Sequence, residues 1–384
     1  MKLEARELAR LRAFEARFGV LAKSCRLLPA ITASQAAVER SRLCRALEAE
    51  QSVVPAFAYP TAQPAIASAR ALDALRDVAG DLPGAPLYLA KLDELEIDVA
   101  ILSALGDARR IRPLAARRFG TGDEVVLTPH GEQRLRDYAR SLIVSRAPND
   151  EARTLPALTR DGTPSLASLI QRVAAQAGLS VEVRVEPNLA AGAAAGEHTV
   201  YVADRLFGRR EALRLSVHEV LGHLTSAANA RMQPIRLLEW GTAGSFADQE
   251  GVALCIEQAF GVLDAGRLCA LAGRVLATSS MHAGATFGET ARELHRELGF
   301  SASDAITISE RAYRGGGVAR DAGYLLGYLR VRAAVASGAA TLDELRLGRV
   351  SVAALPALRE LRARGLVRPA VHCAGLDGSA GAFL

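Results

Sequence analysis

The sequence predicts a mainly α-helical protein with a small β element, which is an α+β fold. Two short stretches, Ser180–Val185 and His198–Val202, alternate apolar and polar residues as half-buried strands do. A long helical pattern over residues 209–230 follows them directly. Near the start of the chain, apolar residues recur at the spacing of one helix face, at Leu3, Leu8, Leu11, Phe14, Phe18 and Leu21.

The N-terminal part reads as a series of helices. Residues 1 to about 50 keep a helical period, which Pro55–Pro60 interrupts. Further amphipathic helices are expected over residues 66–146, with turns at Gly80–Pro86 and Gly120–Asp123. The polar, proline-bearing segment 147–164 is typical of a connector.

The second half alternates helices with short breaks. Leu166–Ala177 predicts a helix that ends at Gly178. Between the two expected strands, the Ala/Gly-rich segment Asn188–Gly196 suggests a loop. Helices are expected over most of residues 245–345, with a break at Gly315–Gly317, and the tail after Pro369 has no period.

Composition excludes several classes of protein. Half of the 384 residues are hydrophobic and 23% are charged, which argues against disorder and fibrous repeats. No apolar run is long enough to span a bilayer, so no membrane association is expected. Five scattered cysteines without a CxxC pair indicate a reduced, cytoplasmic protein. The net charge is +5, but the arginine run Arg109–Arg118 alternates as a solvated helix face does, so no nucleic-acid partner is expected.

The most informative segment is Ser216–His223, which reads SVHEVLGH. Its histidines are five residues apart, and in a regular α-helix this spacing separates them by about 140°. A π-turn between His218 and His223 would let both imidazoles reach one ion, and Gly222 offers a place for backbone distortion.

A catalytic zinc site needs three protein ligands and an open position. His218 and His223 supply two ligands, and Glu219 would lie beside the metal as a base for water. The third ligand is expected from the helix that follows, where three carboxylates lie at suitable distance along the chain: Asp248, Glu250 and Glu257. Glu250 and Glu257 share one face two turns apart, so spacing alone leaves the choice open. The competing interpretation is a helix with two histidines, one exposed and one capping, and a solvated Glu219.

The sequence resembles the bacterial QEGLA-motif proteins, some of which are named modulators of flavohaemoglobin expression. These are related to the microtubule-associated tyrosine carboxypeptidases, which share the HExxxH pattern. The resemblance covers roughly residues 50–340. It rests on six segments: Pro55–Tyr59, His218–His223, Gln233–Pro234, Gln249–Ala253, Arg311–Gly315 and Arg320–Gly327. Val252 and Arg320 depart from the usual leucine and lysine, and neither position is a ligand.

The resemblance implies a zincin-like metallopeptidase with a π-bulged active-site helix. It implies Zn²⁺ held by His218, His223 and Glu250, with Glu219 as the general base. It also suggests cleavage at the C-terminal tail of a peptide or protein. Three regions are then expected in chain order: an N-terminal helical region (1–150), the zinc metallopeptidase region (151–345), and a C-terminal helix with a loose tail (346–384).

Substrate residues are sought among groups that recognise a carboxylate or an oxyanion. Arg311 or Arg314 could bind a terminal carboxylate in a bidentate manner. Tyr324 could donate to the oxyanion of a tetrahedral intermediate, and His282 is a weaker alternative for that role. The function expected is therefore zinc-dependent, carboxypeptidase-like hydrolysis. The alternative is a non-catalytic, zinc-stabilised regulatory or interaction protein.

Overall fold

The computed structural model describes residues 5–60, 66–144, 152, 154–159, 162–187, 189 and 191–373. Helices dominate these residues, and two small sheets account for the strands, so the predicted α+β class is confirmed. No helix among the described residues is long and apolar enough to cross a membrane.

The N-terminal part contains seven helices and a β-hairpin within the described residues. Buried Leu11, Phe14, Phe18 and Leu21 form the apolar stripe expected of the first helix. The hairpin Val125–Arg134 corrects the all-helical expectation for residues 66–146, because Val125–Thr128 pairs antiparallel with Gly131–Arg134. In order the elements are α1 (Ala5–Ser24), α2 (Leu27–Ala30), α3 (Ala36–Glu48), α4 (Ile66–Ala79), α5 (Ala85–Ser103), α6 (Ala108–Phe119), β1 (Val125–Thr128), β2 (Gly131–Arg134) and α7 (Leu135–Val144).

The middle part contains the predicted strands and the long helix. The helix at Leu166 begins with a capping box in which Ser165 and Ser168 satisfy each other's backbone N–H, and Gly178 follows its end in the left-handed region. The elements are α8 (Leu166–Gln176), β3 (Glu182–Val185), β4 (Ala193–Ala195), β5 (Thr199–Val202), α9 (Arg209–Val217), a π-helical segment (His218–Leu224), α10 (Thr225–Arg231), α11 (Leu237–Trp240) and α12 (Ser245–Ala259).

The three-stranded sheet has the order β3-β5-β4. The two expected strands pair in parallel, Glu182 with Thr199 through Val185 with Val202. The Ala/Gly-rich segment was expected to be a loop, and this is wrong for Ala193–Ala195, which pairs antiparallel with β5. Residues 188 and 190 of that segment lie outside the described residues. β4 is therefore an edge strand, formed by pairing rather than by propensity.

The remaining helices follow Asp264. The expected glycine break is present, because Gly315, Gly316 and Gly317 all have positive φ. Near the end, the side chains of Gln233 and Asn229 hydrogen-bond the backbone of residues 368–372, and residues 374–384 lie outside the described residues. The elements are α13 (Ala265–His282), α14 (Phe287–Arg292), a second π-helical segment (Glu293–Glu297), α15 (Ala302–Tyr313), short 3₁₀ turns (Arg314–Gly316 and Arg320–Ala322), α16 (Gly323–Ala336), α17 (Leu342–Leu345), a 3₁₀ turn (Val352–Ala354) and α18 (Leu355–Ala363).

The chain divides into two compact units. The first comprises the described residues of Ala147–Arg267 and Gly327–Leu384, and the second those of Glu4–Arg146 and Leu268–Leu326. The three expected regions follow chain order, whereas residues 268–326 group with the N-terminal part. The long helix, the three-stranded sheet and α12 all belong to the first unit.

Candidate metal centre

A π-helical segment, His218–Leu224, occupies the position where the sequence predicts a π-turn. It continues from α9 and leads into α10, so that the N–H of Thr225 donates to the carbonyl of Val220, five residues earlier. This hydrogen-bond pattern brings residues five apart onto one face. The Nε2 atoms of His218 and His223 are 3.2 Å apart, and the rings lie nearly perpendicular at 76°.

Glu250 completes a triangle of ligand atoms. Its Oε2 lies 3.5 Å from Nε2 of His218 and 3.7 Å from Nε2 of His223. In tetrahedral zinc coordination with bonds of about 2.1 Å, neighbouring ligand atoms lie about 3.4 Å apart. The three atoms are therefore spaced as three corners of such a tetrahedron.

The buried Oε2 of Glu250 supports the fit to a cation. It has no hydrogen-bond partner among the described residues. Oε2 of Glu257 on the same helix also has none there, but Oε1 of that carboxylate is engaged by Nδ1 of His218. A buried carboxylate oxygen without a donor is costly unless a cation satisfies it. His218, His223 and Glu250 are also the one group of His, Cys, Asp and Glu in the described part of the chain whose ligand atoms converge within 4.8 Å.

The two other candidate carboxylates of α12 have different partners. Oε1 of Glu257 lies 2.7 Å from Nδ1 of His218, on the opposite edge of the ring from Glu250. Asp248 accepts hydrogen bonds from Nε of Arg330 at 2.6 Å and from the N–H of Val352 at 2.8 Å. The choice that spacing left open thus depends on which nitrogen of His218 each carboxylate meets.

Glycines let α12 pack closely against the π-helical segment and against α16. A Cβ placed on Gly222 would stand 2.7 Å from Cβ of Ala253, and one on Gly251 would stand 2.3 Å from the carbonyl oxygen of Gly327. Gly222 was expected to ease a backbone distortion. It keeps φ outside the positive region, and its role in the structure is to make room for α12. Gln249 fixes the same helix by donating to the carbonyls of Leu345 and Val350, both at 3.0 Å.

Glu219 follows His218 directly and is buried. Its Oε2 accepts a hydrogen bond of 2.7 Å from the backbone N–H of Ala195 on β4. Ala195 lies opposite Val200, and this N–H is directed to Glu219. One carboxylate oxygen of Glu219 is therefore held by the edge strand.

The electrostatics follow from burial and close contacts. Burial alone would lower the pKa of His218, but the nearby carboxylates of Glu250 and Glu257 raise it to about 9. Burial would raise the pKa of Glu250, yet contacts with the two histidines lower it well below its ordinary value. In the absence of metal the two carboxylates thus favour a proton on the imidazole of His218. A metal ion would compete with that proton, because ligand histidines must be neutral.

One known family matches most of the chain, including the segments that carry the candidate site. The sequence model of the family described as "Microtubule-associated tyrosine carboxypeptidase" matches residues 45–376. The chain belongs to this family. No curated protein and no solved structure matches the chain. The family is one of carboxypeptidases, which supports peptidase activity at the family level. The narrower resemblance to bacterial QEGLA-motif proteins stays a prediction.

In this member of the microtubule-associated tyrosine carboxypeptidase family, the predicted substrate residues lie in the second unit. Arg311 already binds Oδ2 of Asp321 at 2.5 Å, and Arg314 binds Oε1 of Glu310 at 3.1 Å. The guanidinium of Arg274 lies 4.9 Å from the centre of the Tyr324 ring. The candidate ligands His218, His223 and Glu250 lie in the first unit. The roles of Arg311, Arg314 and Tyr324 therefore stay predictions.

His282, the alternative oxyanion donor, also lies in the second unit. Its Nε2 is buried without a hydrogen-bond partner among the described residues. Burial and the nearby Arg112 lower its pKa, which favours the neutral ring.

Sequence reasoning missed two contacts in this family member. The first is the hydrogen bond between Glu257 and Nδ1 of His218, which the shared face with Glu250 could have suggested. The second is the N–H of Ala195, which no side-chain pattern announces. Both contacts act on residues of the HExxxH segment.

Proposed function

We propose that the protein is a zinc-dependent, carboxypeptidase-like hydrolase of the zincin type. The observation that carries the proposal is the triangle of His218 Nε2, His223 Nε2 and Glu250 Oε2, with edges of 3.2, 3.5 and 3.7 Å. Three protein ligands of the types His, His and Glu are characteristic of catalytic zinc, since a fourth position stays open. Membership of a carboxypeptidase family supplies the reaction class.

In this mechanism His218, His223 and Glu250 would hold the ion. Zn²⁺ bound there supplies Lewis-acid polarisation of a carbonyl and makes water more acidic. Glu219 would accept a proton from the attacking water and deliver it to the nitrogen of the leaving amine. The N–H of Ala195 occupies Oε2 of Glu219, so the proton would move at Oε1.

The position of β4 supports a peptide as the substrate. β4 is the edge strand of its sheet and is joined to Glu219 through Ala195. An extended peptide can add to such an edge by backbone hydrogen bonds. We further propose that Arg311 or Arg314 binds the terminal carboxylate of the tail and that Tyr324 donates to the oxyanion.

The test compares Glu219→Gln and His223→Ala with the wild type. Elemental analysis of the purified proteins gives zinc content, and digestion of a peptide library gives turnover and the position of cleavage. We expect Glu219→Gln to keep zinc and lose turnover, because the amide cannot accept the proton. We expect His223→Ala to lose both zinc and turnover.

Two outcomes would contradict the proposal. If Glu219→Gln cleaves peptides as fast as the wild type, Glu219 is not the base. If the wild-type protein holds zinc and cleaves no member of the library, a non-catalytic, zinc-stabilised regulatory protein is the better interpretation.

A further inference from the structure

The edge of the His218 ring that faces away from Glu250 also has a partner. Nδ1 of His218 lies 2.7 Å from Oε1 of Glu257, two turns after Glu250 on α12. The side chain of Glu257 is fully buried, with 0% of its surface exposed. The imidazole is thus held between two carboxylates of one helix, each at a different nitrogen.

Two arginines compensate the charge of Glu257. Nη2 of Arg267 lies 3.4 Å from its Oε1, and Nη1 of Arg214 lies 3.9 Å from the same atom. Both arginine side chains are largely buried. Arg214 also lies 3.9 Å from Glu211, which binds Arg205 at 2.7 Å. A row of alternating charges therefore connects His218 to the surface of the first unit, and such compensation is what allows a carboxylate to be buried.

The hydrogen bond at Nδ1 determines which nitrogen is free to bind. A neutral imidazole carries one N–H and one lone pair. Since the carboxylate of Glu257 can only accept, the proton belongs on Nδ1 and the lone pair on Nε2. This is the nitrogen that faces Oε2 of Glu250 and Nε2 of His223.

We propose that Glu257 is a positioning residue of the metal centre, which acts through His218, and that Arg214 and Arg267 hold its carboxylate in place. The inference rests on the proposed metal site and assigns no contact between Glu257 and the substrate. Carboxylates in this position fix the ring orientation of a ligand histidine and make it a stronger ligand. Their loss typically weakens metal binding by about 10- to 100-fold.

The experiment measures zinc affinity by competition with a chelator for the wild type, Glu257→Gln and Glu257→Asp. Glu257→Gln preserves shape and removes the charge, and its amide can present a donor to Nδ1. We expect its dissociation constant for zinc to rise by about 10- to 100-fold. Glu257→Asp keeps the charge and should recover part of the affinity.

Two spectroscopic readouts separate positioning from a purely structural role. The Co²⁺-substituted protein should show a changed visible absorption band in Glu257→Gln, because the ligand field of His218 changes. Spectra of ¹⁵N-histidine-labelled, zinc-loaded wild type should show the proton of His218 on Nδ1. A proton on Nε2 would overturn the inference.

Asp248→Asn is the matched control. Asp248 is a buried carboxylate of the same helix that binds an arginine, Arg330, but contacts neither histidine. This variant should lose thermal stability and keep the zinc affinity and the Co²⁺ spectrum of the wild type. An equal loss of zinc affinity in Asp248→Asn and Glu257→Gln would show that burial of charge in α12, and not contact with His218, matters.

Glu250→Gln distinguishes the two proposals. If Glu250→Gln binds zinc as tightly as the wild type, the proposed metal site itself is wrong. If Glu250→Gln loses zinc while Glu257→Gln keeps wild-type affinity and an unchanged Co²⁺ spectrum, only the role of Glu257 is wrong. Circular dichroism of the metal-free variants shows whether each is folded. If Glu257→Gln is unfolded, the position of the His218 proton in the zinc-loaded wild type decides, and a proton on Nε2 would overturn the inference.

Discussion

The contact between Gly222 and Ala253 sets how closely Glu250 approaches the two histidines. In Gly222→Ala the new Cβ would stand 2.7 Å from Cβ of Ala253 and 3.1 Å from its Cα. Non-bonded carbon atoms prefer separations of about 3.5–4.0 Å. The π-helical segment and α12 would therefore have to separate by roughly 1 Å at this point.

The expected effect on stability is small, whereas the effect on metal binding is large. Overpacking of a core costs about 1–3 kcal/mol, and replacing glycine by alanine within a helix returns up to about 1 kcal/mol. The distances from Glu250 to the histidines are 3.5 and 3.7 Å and would lengthen with the separation. Because metal–ligand distances tolerate only about 0.2 Å, we expect zinc affinity to fall by at least about tenfold, or about 1.4 kcal/mol.

The assay is chelator competition for zinc, with thermal unfolding of the metal-free protein measured in parallel. Gly266→Ala is the control, since Gly266 lies in α13 and its nearest contact would be an ordinary 3.4 Å to Asp264. The double variant Gly222→Ala/Ala253→Gly removes the opposing methyl group and should regain zinc affinity. The reasoning is refuted if Gly222→Ala binds zinc as the wild type does, or if the double variant is no better than Gly222→Ala.

Two further outcomes are expected. Burial would raise the pKa of Asp321, but contact with Arg311 and two other arginines lowers it from 3.8 to about 2. The ion pair therefore stabilises the fold above pH 4 by about 2 kcal/mol. This contribution is lost as the pH falls towards 2. The difference in Tm between wild type and Asp321→Asn should accordingly shrink below pH 4, and a difference that is constant from pH 7 to pH 2 would show that the charge of Asp321 is not responsible. The second outcome concerns a pair of peptides that differ only in amidation of the C-terminus. Amidation should remove a charge-assisted contact of about 1.5–3 kcal/mol and lower kcat/KM by roughly ten- to a hundredfold. Equal rates for the two peptides would exclude carboxypeptidase action and leave the hydrolase proposal intact.

Features that depend on local spacing could be predicted from the amino-acid sequence. Helical periodicity located the N-terminal helix and the helix at Leu166. Both were predictable because an apolar stripe repeats every three to four residues along the chain. The five-residue spacing of His218 and His223 required a π-turn for convergence, and the structure has a π-helical segment there. The HExxxH segment also sufficed to single out Glu219, which is its neighbour in the chain.

The contact partners of the candidate site residues, in contrast, depend on how distant elements pack against each other. Glu250 and Glu257 are equivalent by spacing, and they differ because α12 packs against the π-helical segment so that one faces Nε2 and the other Nδ1 of His218. β4 has an Ala/Gly-rich sequence with no strand propensity, and it is a strand because β5 pairs with it. These outcomes depend on the distance between elements that are far apart in the chain. That distance is set by close contacts such as Gly222 against Ala253, which a local sequence pattern does not encode.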